Sequence, residues 1–119
     1  ILTSLDSYQT KKYYNNQNVN QLVKKFALNA KKNKLDGIVC SPLEITTVRK
    51  AVGNKMLIIV PGIRLEKKQP NKKDDQKRIL TPKEAINLGA DYLVIGRPIV
   101  ESNNPLKTLT QINKSIINK

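Results

Sequence analysis

Apolar residues follow two alternating patterns along this chain. From about 19 to 33, Val19, Leu22, Val23, Phe26, Ala27 and Ala30 share one helical face, while Lys24, Lys25, Lys31 and Lys32 fall mostly elsewhere. That spacing predicts an amphipathic helix. Residues 37–40 are apolar without alternation and too few for a helix, which predicts a short strand. Ser41-Pro42-Leu43-Glu44 follows directly. A serine N-cap, proline at the first helical position and glutamate at the third form a capping box, so a helix should run to about 52 and stop at Gly53.

The same sentence is then repeated. Residues 56–60 form a second apolar strand that stops at Pro61-Gly62, and a long charged loop reaches Leu80. Thr81-Pro82-Lys83-Glu84 repeats the capping pattern and opens a helix ending near Leu88-Gly89. A third strand covers 92–95, and Asn104-Pro105 opens a last helix carrying Leu106, Leu109, Ile112, Ile116 and Ile117. Ile1-Leu2-Thr3 reads as the tail of a further strand, followed by a polar stretch rich in Tyr, Asn and Gln with no assigned element.

Strand and helix alternating with continuously apolar strands call for an α/β fold, with parallel strands buried on both faces and joined by right-handed helical crossovers. A doubly wound sheet and a (β/α)8 barrel both satisfy this. The strand ends favour the barrel, because Thr3, Arg64, Gly96 and Arg97 lie at or just beyond carboxyl ends of strands, where a barrel assembles its site. No glycine-rich first turn of the dinucleotide-binding type is present. A barrel needs eight strands; three and a remnant are supplied here.

The third strand carries the clearest chemistry. Asp91-Tyr92-Leu93-Val94-Ile95 ends in Gly96-Arg97-Pro98, offering backbone N–H groups, a residue that admits close approach and a guanidinium that can grip two phosphate oxygens. These features read as a phosphate-binding corner or, equally, as a strand cap with a solvated arginine. Other features mostly exclude. One cysteine, Cys40, rules out an internal disulfide and suits a buried role in a reducing cytoplasm. The absence of histidine removes a Ser–His triad and His-ligated zinc. No membrane span or signal-peptide pattern is evident.

The formal net charge of +13 invites a nucleic-acid reading. However, 18 of the 22 basic residues are lysines spread along the chain, and AT-rich codons favour Lys, Asn and Ile together. Nucleic-acid modules cluster charge on one face with exposed aromatics. The densest cluster, Lys67-Lys68 and Lys72-Lys73, lies in one loop before Asp74-Asp75 and reads as solvated, so no nucleic-acid partner is expected.

Five segments together resemble the bacterial-type orotidine 5'-monophosphate decarboxylase family. They are Leu2-Thr3-Ser4, Leu35 to Ser41, Val60-Pro61-Gly62-Ile63-Arg64, Asp75-Gln76-Lys77-Arg78-Ile79-Leu80-Thr81-Pro82 and Gly89 to Ile99. The most specific pair is Pro-Gly-Ile-Arg followed by Asp-Gln-x-Arg-Ile-x-Thr-Pro. The resemblance implies a (β/α)8 barrel converting orotidine 5'-monophosphate to UMP without metal or organic cofactor, homodimeric at full length. It places Thr3 at the pyrimidine end with Ser4 beside it, and Arg64 and Gln76 in a loop that closes over the nucleotide. Gln76 would hydrogen-bond phosphate, Gly96 would present its N–H, and Arg97 would grip phosphate oxygens. The 64–76 loop is longer and richer in lysine than the family pattern.

The family's Asp-x-Lys-x-x-Asp motif, whose lysine protonates C6, is absent; Lys72-Lys73-Asp74-Asp75 has the residue types without the spacing. The chain therefore reads as a single partial domain over 1–119, the carboxyl-terminal half of the barrel from the end of strand five, with no catalytic residue of its own. It also lacks an initiating Met, as a processed or incomplete chain would. Alone it should be inactive, with unpaired strand edges prone to association. Two alternatives stand beside this: another phosphate-binding barrel enzyme acting on a sugar phosphate, or a basic nucleic-acid-binding module.

Overall fold

The computed structural model describes residues 7–15, 18–65 and 80–117. Helices α1 (Ser7–Tyr14) and α2 (Val19–Lys32) precede strand β1 (Gly37–Val39). A 3-10 turn (Pro42–Glu44) leads into α3 (Ile45–Val52), then β2 (Leu57–Pro61), α4 (Pro82–Asn87), β3 (Tyr92–Val94), α5 (Arg97–Val100) and α6 (Pro105–Ile117). The strands form one parallel sheet in the order β1-β2-β3, with Val39 opposite Ile59, Ile59 opposite Tyr92 and Pro61 opposite Val94. Strand–helix–strand units with every strand parallel are the repeating unit of a (β/α)8 barrel.

Both predicted helix starts are built as expected. The Glu84 carboxylate accepts from the Thr81 N–H at 2.9 Å, and the Glu84 N–H donates back to the Thr81 hydroxyl at 3.4 Å. At the first start, the buried Glu44 carboxylate accepts from the Ser41 N–H at 3.1 Å. There the chain makes one 3-10 turn before the α-helix, because the Glu44 N–H bonds the Ser41 carbonyl three residues back. The other ends fall within a residue or two of the sequence boundaries, as fraying ends do.

The core lies on one side of the sheet. Ile38, Ile58, Val60 and Leu93 point there and meet Val23 and Ala27 of α2, Ile45, Val48 and Val52 of α3, and Ala85 of α4. The expectation that all strands are buried on both faces fails on the opposite face of the sheet. Val39, Tyr92 and Val94 are exposed there, and Leu57 of β2 is exposed as well, because the helices described cover only one face of the sheet. In the last helix only Ile112 is fully buried, while Leu106 and Ile117 are exposed. Phe26, placed on the buried face of α2 by spacing, is partly exposed and meets the edge of Tyr14 at 5.8 Å between ring centroids. Helix α1 and the single turn α5 were not expected. The first has weak apolar patterning, and the second is one turn long, below the reach of periodicity.

One side chain ties the amino-terminal ends of β2 and β3 together. Arg49, near the end of α3, donates to the carbonyls of Gly53 and Met56, both at 2.8 Å, and to that of Gly89 at 2.6 Å. It also pairs with the Asp91 carboxylate, which accepts the Ile58 N–H at 2.8 Å. Gly89 sits at φ +109°, and a Cβ there would lie 3.1 Å from Arg49. Arg49→Met keeps the stem but strands these acceptors. It should lower the unfolding free energy by about 2–4 kcal/mol in urea titration, whereas Lys50→Met on the exposed side of α3 should change it by less than about 0.5 kcal/mol.

Candidate phosphate-binding site

Parallel pairing makes β2 and β3 end side by side, and their following loops leave the same end of the sheet. Pro61 is opposite Val94. Arg64 and Arg97 each lie three residues beyond these partners, which puts both guanidinium-bearing residues in the segments that leave the carboxyl edge, Arg64 half-buried in a loop and Arg97 exposed at the start of α5.

The first loop is shaped by its own sequence. Gly62 takes φ +79°, a conformation that favours glycine, although a Cβ there would touch nothing within 4 Å. The turn buries Ile63 completely and leaves Arg64 half-buried. The Arg64 N–H donates to the Leu80 carbonyl at 3.2 Å. That bond joins the two ends of the long charged loop at its base. Gln76 lies inside that loop, and with Thr3 and Ser4 it falls outside the described residues.

The second loop opens on Gly96, exposed at the head of α5. Its carbonyl accepts the N–H groups of Ile99 at 2.8 Å and Val100 at 3.1 Å, which turns the chain sharply after β3. A Cβ on Gly96 would meet nothing within 4 Å, so no neighbouring atom of this chain demands glycine there. The same open space admits an incoming oxyanion to the backbone. Arg97 is exposed beside it.

At the end of β1 stand Cys40 and Ser41, both buried. Burial, with the Glu44 carboxylate adding to it, pushes the Cys40 thiol up to about 12. At neutral pH it is a neutral packing group rather than a nucleophile. Among the described residues, no group of three or more His, Cys, Asp or Glu could hold a metal ion, and no helix is long and apolar enough to cross a membrane. The Arg49–Asp91 clamp escaped the sequence reading. Its signal was present: an arginine in the last turn of one helix, and an aspartate just before the third strand.

The fold and the paired strand ends define a (β/α)8-barrel protein of which this chain supplies part. Known proteins place it more narrowly. A family model described as "Orotidine 5'-phosphate decarboxylase / HUMPS family" matches residues 1–112, and the chain belongs to that family. Orotidine 5'-phosphate decarboxylase of Coxiella burnetii is 47% identical over 116 residues, covering 98% of this chain and 48% of the relative. The enzyme of that name from Wolbachia pipientis subsp. Culex pipiens is 55% identical over 87 residues, covering 73% of this chain and 37% of the relative. Among solved structures, orotidine 5'-phosphate decarboxylase from Lactobacillus acidophilus superposes with a TM-score of 0.77 at 29% identity, covering all of this chain and 47% of that one. The chain thus spans about half the length of the curated relatives it matches.

Proposed function

We propose that this chain is the carboxyl-terminal half of an orotidine 5'-monophosphate decarboxylase, a single partial domain that supplies the phosphate and pyrimidine contacts of the site. The observation that carries this is that Arg64 and Arg97 each follow, by three positions, paired residues at the ends of adjacent parallel strands. Two arginines and an unhindered glycine at one sheet end suit a phosphate monoester dianion. They sit at the end of the sheet where (β/α)8 barrels build their active sites. Arg97 grips phosphate oxygens, Gly96 gives its backbone close access, and Arg64 adds positive charge at the base of the closing loop. Gln76 binds phosphate from that loop, and Thr3 meets the pyrimidine.

The reaction breaks the bond from C6 to the carboxylate, and the electron pair stays on C6 until a proton replaces the departing CO2. No electron sink adjoins C6, so preorganised charge must lower the barrier. The Asp-x-Lys-x-x-Asp lysine that supplies the proton belongs to the other half of the barrel. The task of this half is to convert phosphate binding, remote from C6, into loop closure and substrate placement. The sugar-phosphate alternative would keep the Gly96-Arg97 corner but has no need of Pro61-Gly62-Ile63-Arg64. The nucleic-acid alternative would need clustered charge, which is absent from the sequence pattern.

The test is decarboxylation of orotidine 5'-monophosphate by this chain joined to the part of the Coxiella burnetii relative that it does not match. CO2 release that depends on both parts supports the reading. A folded, nucleotide-binding hybrid that releases none would overturn it.

A further inference from the structure

The strand that leads to Gly96-Arg97 is held to its neighbour by a short ladder. Tyr92, Leu93 and Val94 of β3 pair with Ile59, Val60 and Pro61 of β2. Of these three residues of β3, Leu93 packs against the core, while Tyr92 and Val94 are exposed. One packed side chain chooses which face is buried; it fixes less well where the strand lies along its axis.

That alignment is held at the opposite end of the strands. Asp91, just before β3, donates its N–H to the Ile58 carbonyl at 2.9 Å and accepts the Ile58 N–H on its carboxylate. The same carboxylate oxygen meets the Arg49 guanidinium, whose Nε and Nη2 also hold the Gly89 carbonyl. Nη1 holds the carbonyls of Gly53 and Met56, on the approach to β2. One planar group thus binds the segments leading into both strands, and a lysine ammonium, with no fixed fork, cannot span them. The Arg49 side chain is 16% exposed, so water competes little for these bonds.

Resting on the phosphate reading above, we propose that Arg49 and Asp91 are positioning residues for the phosphate site. By fixing where β3 lies along β2, they set where Gly96-Arg97 lies relative to Arg64. Neither touches substrate, since both sit at the amino ends of the strands and the site lies at the carboxyl ends. A misplacement of about 1 Å is enough to weaken a positioned contact by as much as about 100-fold. At this end of a barrel sheet the ordinary role of such a clamp is stability alone. The two roles part on one observable, because a purely stabilising clamp leaves the folded site unchanged.

The test uses the completed protein and reads the ratio of UMP to uridine affinity by calorimetry, below the unfolding transition of each variant. Arg49→Met and Asp91→Ala should each lower that ratio about tenfold with uridine affinity unchanged. The double variant should lower it no further than the worse single one, the mark of one shared device. Val48→Ala truncates a fully buried residue of the same helix; it should destabilise the protein and leave the ratio intact. Arg49→Lys is the milder variant if Arg49→Met does not fold, and a loss of at least about threefold is expected of it. The proposal is overturned if a folded clamp variant keeps the ratio within about twofold of the unaltered protein. It is equally overturned if Val48→Ala lowers the ratio as much as Arg49→Met, or if no clamp variant folds, which would make the clamp a condition of folding alone. The unaltered protein separates the two ideas. A preference for UMP that survives loss of the clamp sinks only this proposal, whereas no preference for UMP sinks the phosphate reading with it.

Discussion

Arg97→Ala in the completed barrel should lower kcat/KM for orotidine 5'-monophosphate by about 100-fold. Charge-assisted hydrogen bonds contribute roughly 1.5–3 kcal/mol each, and a bidentate contact to a dianion falls at the upper end. About 2.7 kcal/mol corresponds to two powers of ten in rate. Arg97 is exposed just beyond the β3 end and is not a member of the buried core, so its loss should not unfold the protein. Arg97→Lys should recover only part of the activity, because an ammonium keeps the charge without the planar fork. The split between constants is informative. If phosphate binding serves placement and loop closure, kcat should fall along with the rise in KM. Unchanged kcat/KM in Arg97→Ala would remove the phosphate role from this corner.

A second large effect lies in the core. Ile58 is fully buried at the centre of β2, within the cluster formed with α2, α3 and α4. Ile58→Ala should cost about 3 kcal/mol of unfolding free energy, from lost transfer energy and the cavity left behind. That is a large share of the roughly 5–15 kcal/mol by which domains are stable. Val94→Ala, on the exposed face of the adjacent strand β3, should cost less than about 0.5 kcal/mol in this chain alone. Once the complementary half covers that face, the same substitution should cost about 1–2 kcal/mol, as a buried valine does. Urea unfolding of both variants, with and without the added half, measures these values. Equal losses for Val94→Ala in the two settings would mean that the face stays exposed.

Much of this was legible in the residues. Ser41-Pro42-Leu43-Glu44 and Thr81-Pro82-Lys83-Glu84 announced two helix starts because capping is local chemistry, settled within four positions. The three short strands were legible because each apolar run is bounded by Gly or Pro. What failed was context. Val39, Tyr92 and Val94 look like core positions in the sequence, since apolar runs mark strands meant to be covered on both sides; which side the described helices cover is a matter of tertiary packing that a short apolar run does not encode. Helix α1 was missed because Tyr8, Lys11, Lys12 and Tyr13 place no clean apolar stripe on one face. The Arg49–Asp91 clamp joins residues 42 positions apart, a separation that local patterns do not encode.

The site was legible in a similar way. Gly96 and Arg97 stand out because a glycine and an arginine end an apolar strand. The structure adds that β2 and β3 end side by side, with Arg64 and Arg97 each three residues past a paired position. It also adds that Gly96 has no packing reason to be glycine. Thr3 and Gln76 lie outside the described residues, and their roles rest on the family resemblance.

The most direct measurement compares UMP with uridine, titrated calorimetrically into the completed protein and its Arg97→Ala variant. The account predicts that UMP binds at least about 100-fold more tightly than uridine, and that Arg97→Ala removes most of that difference while leaving uridine affinity unchanged. Equal affinities for UMP and uridine in the unaltered protein would contradict it.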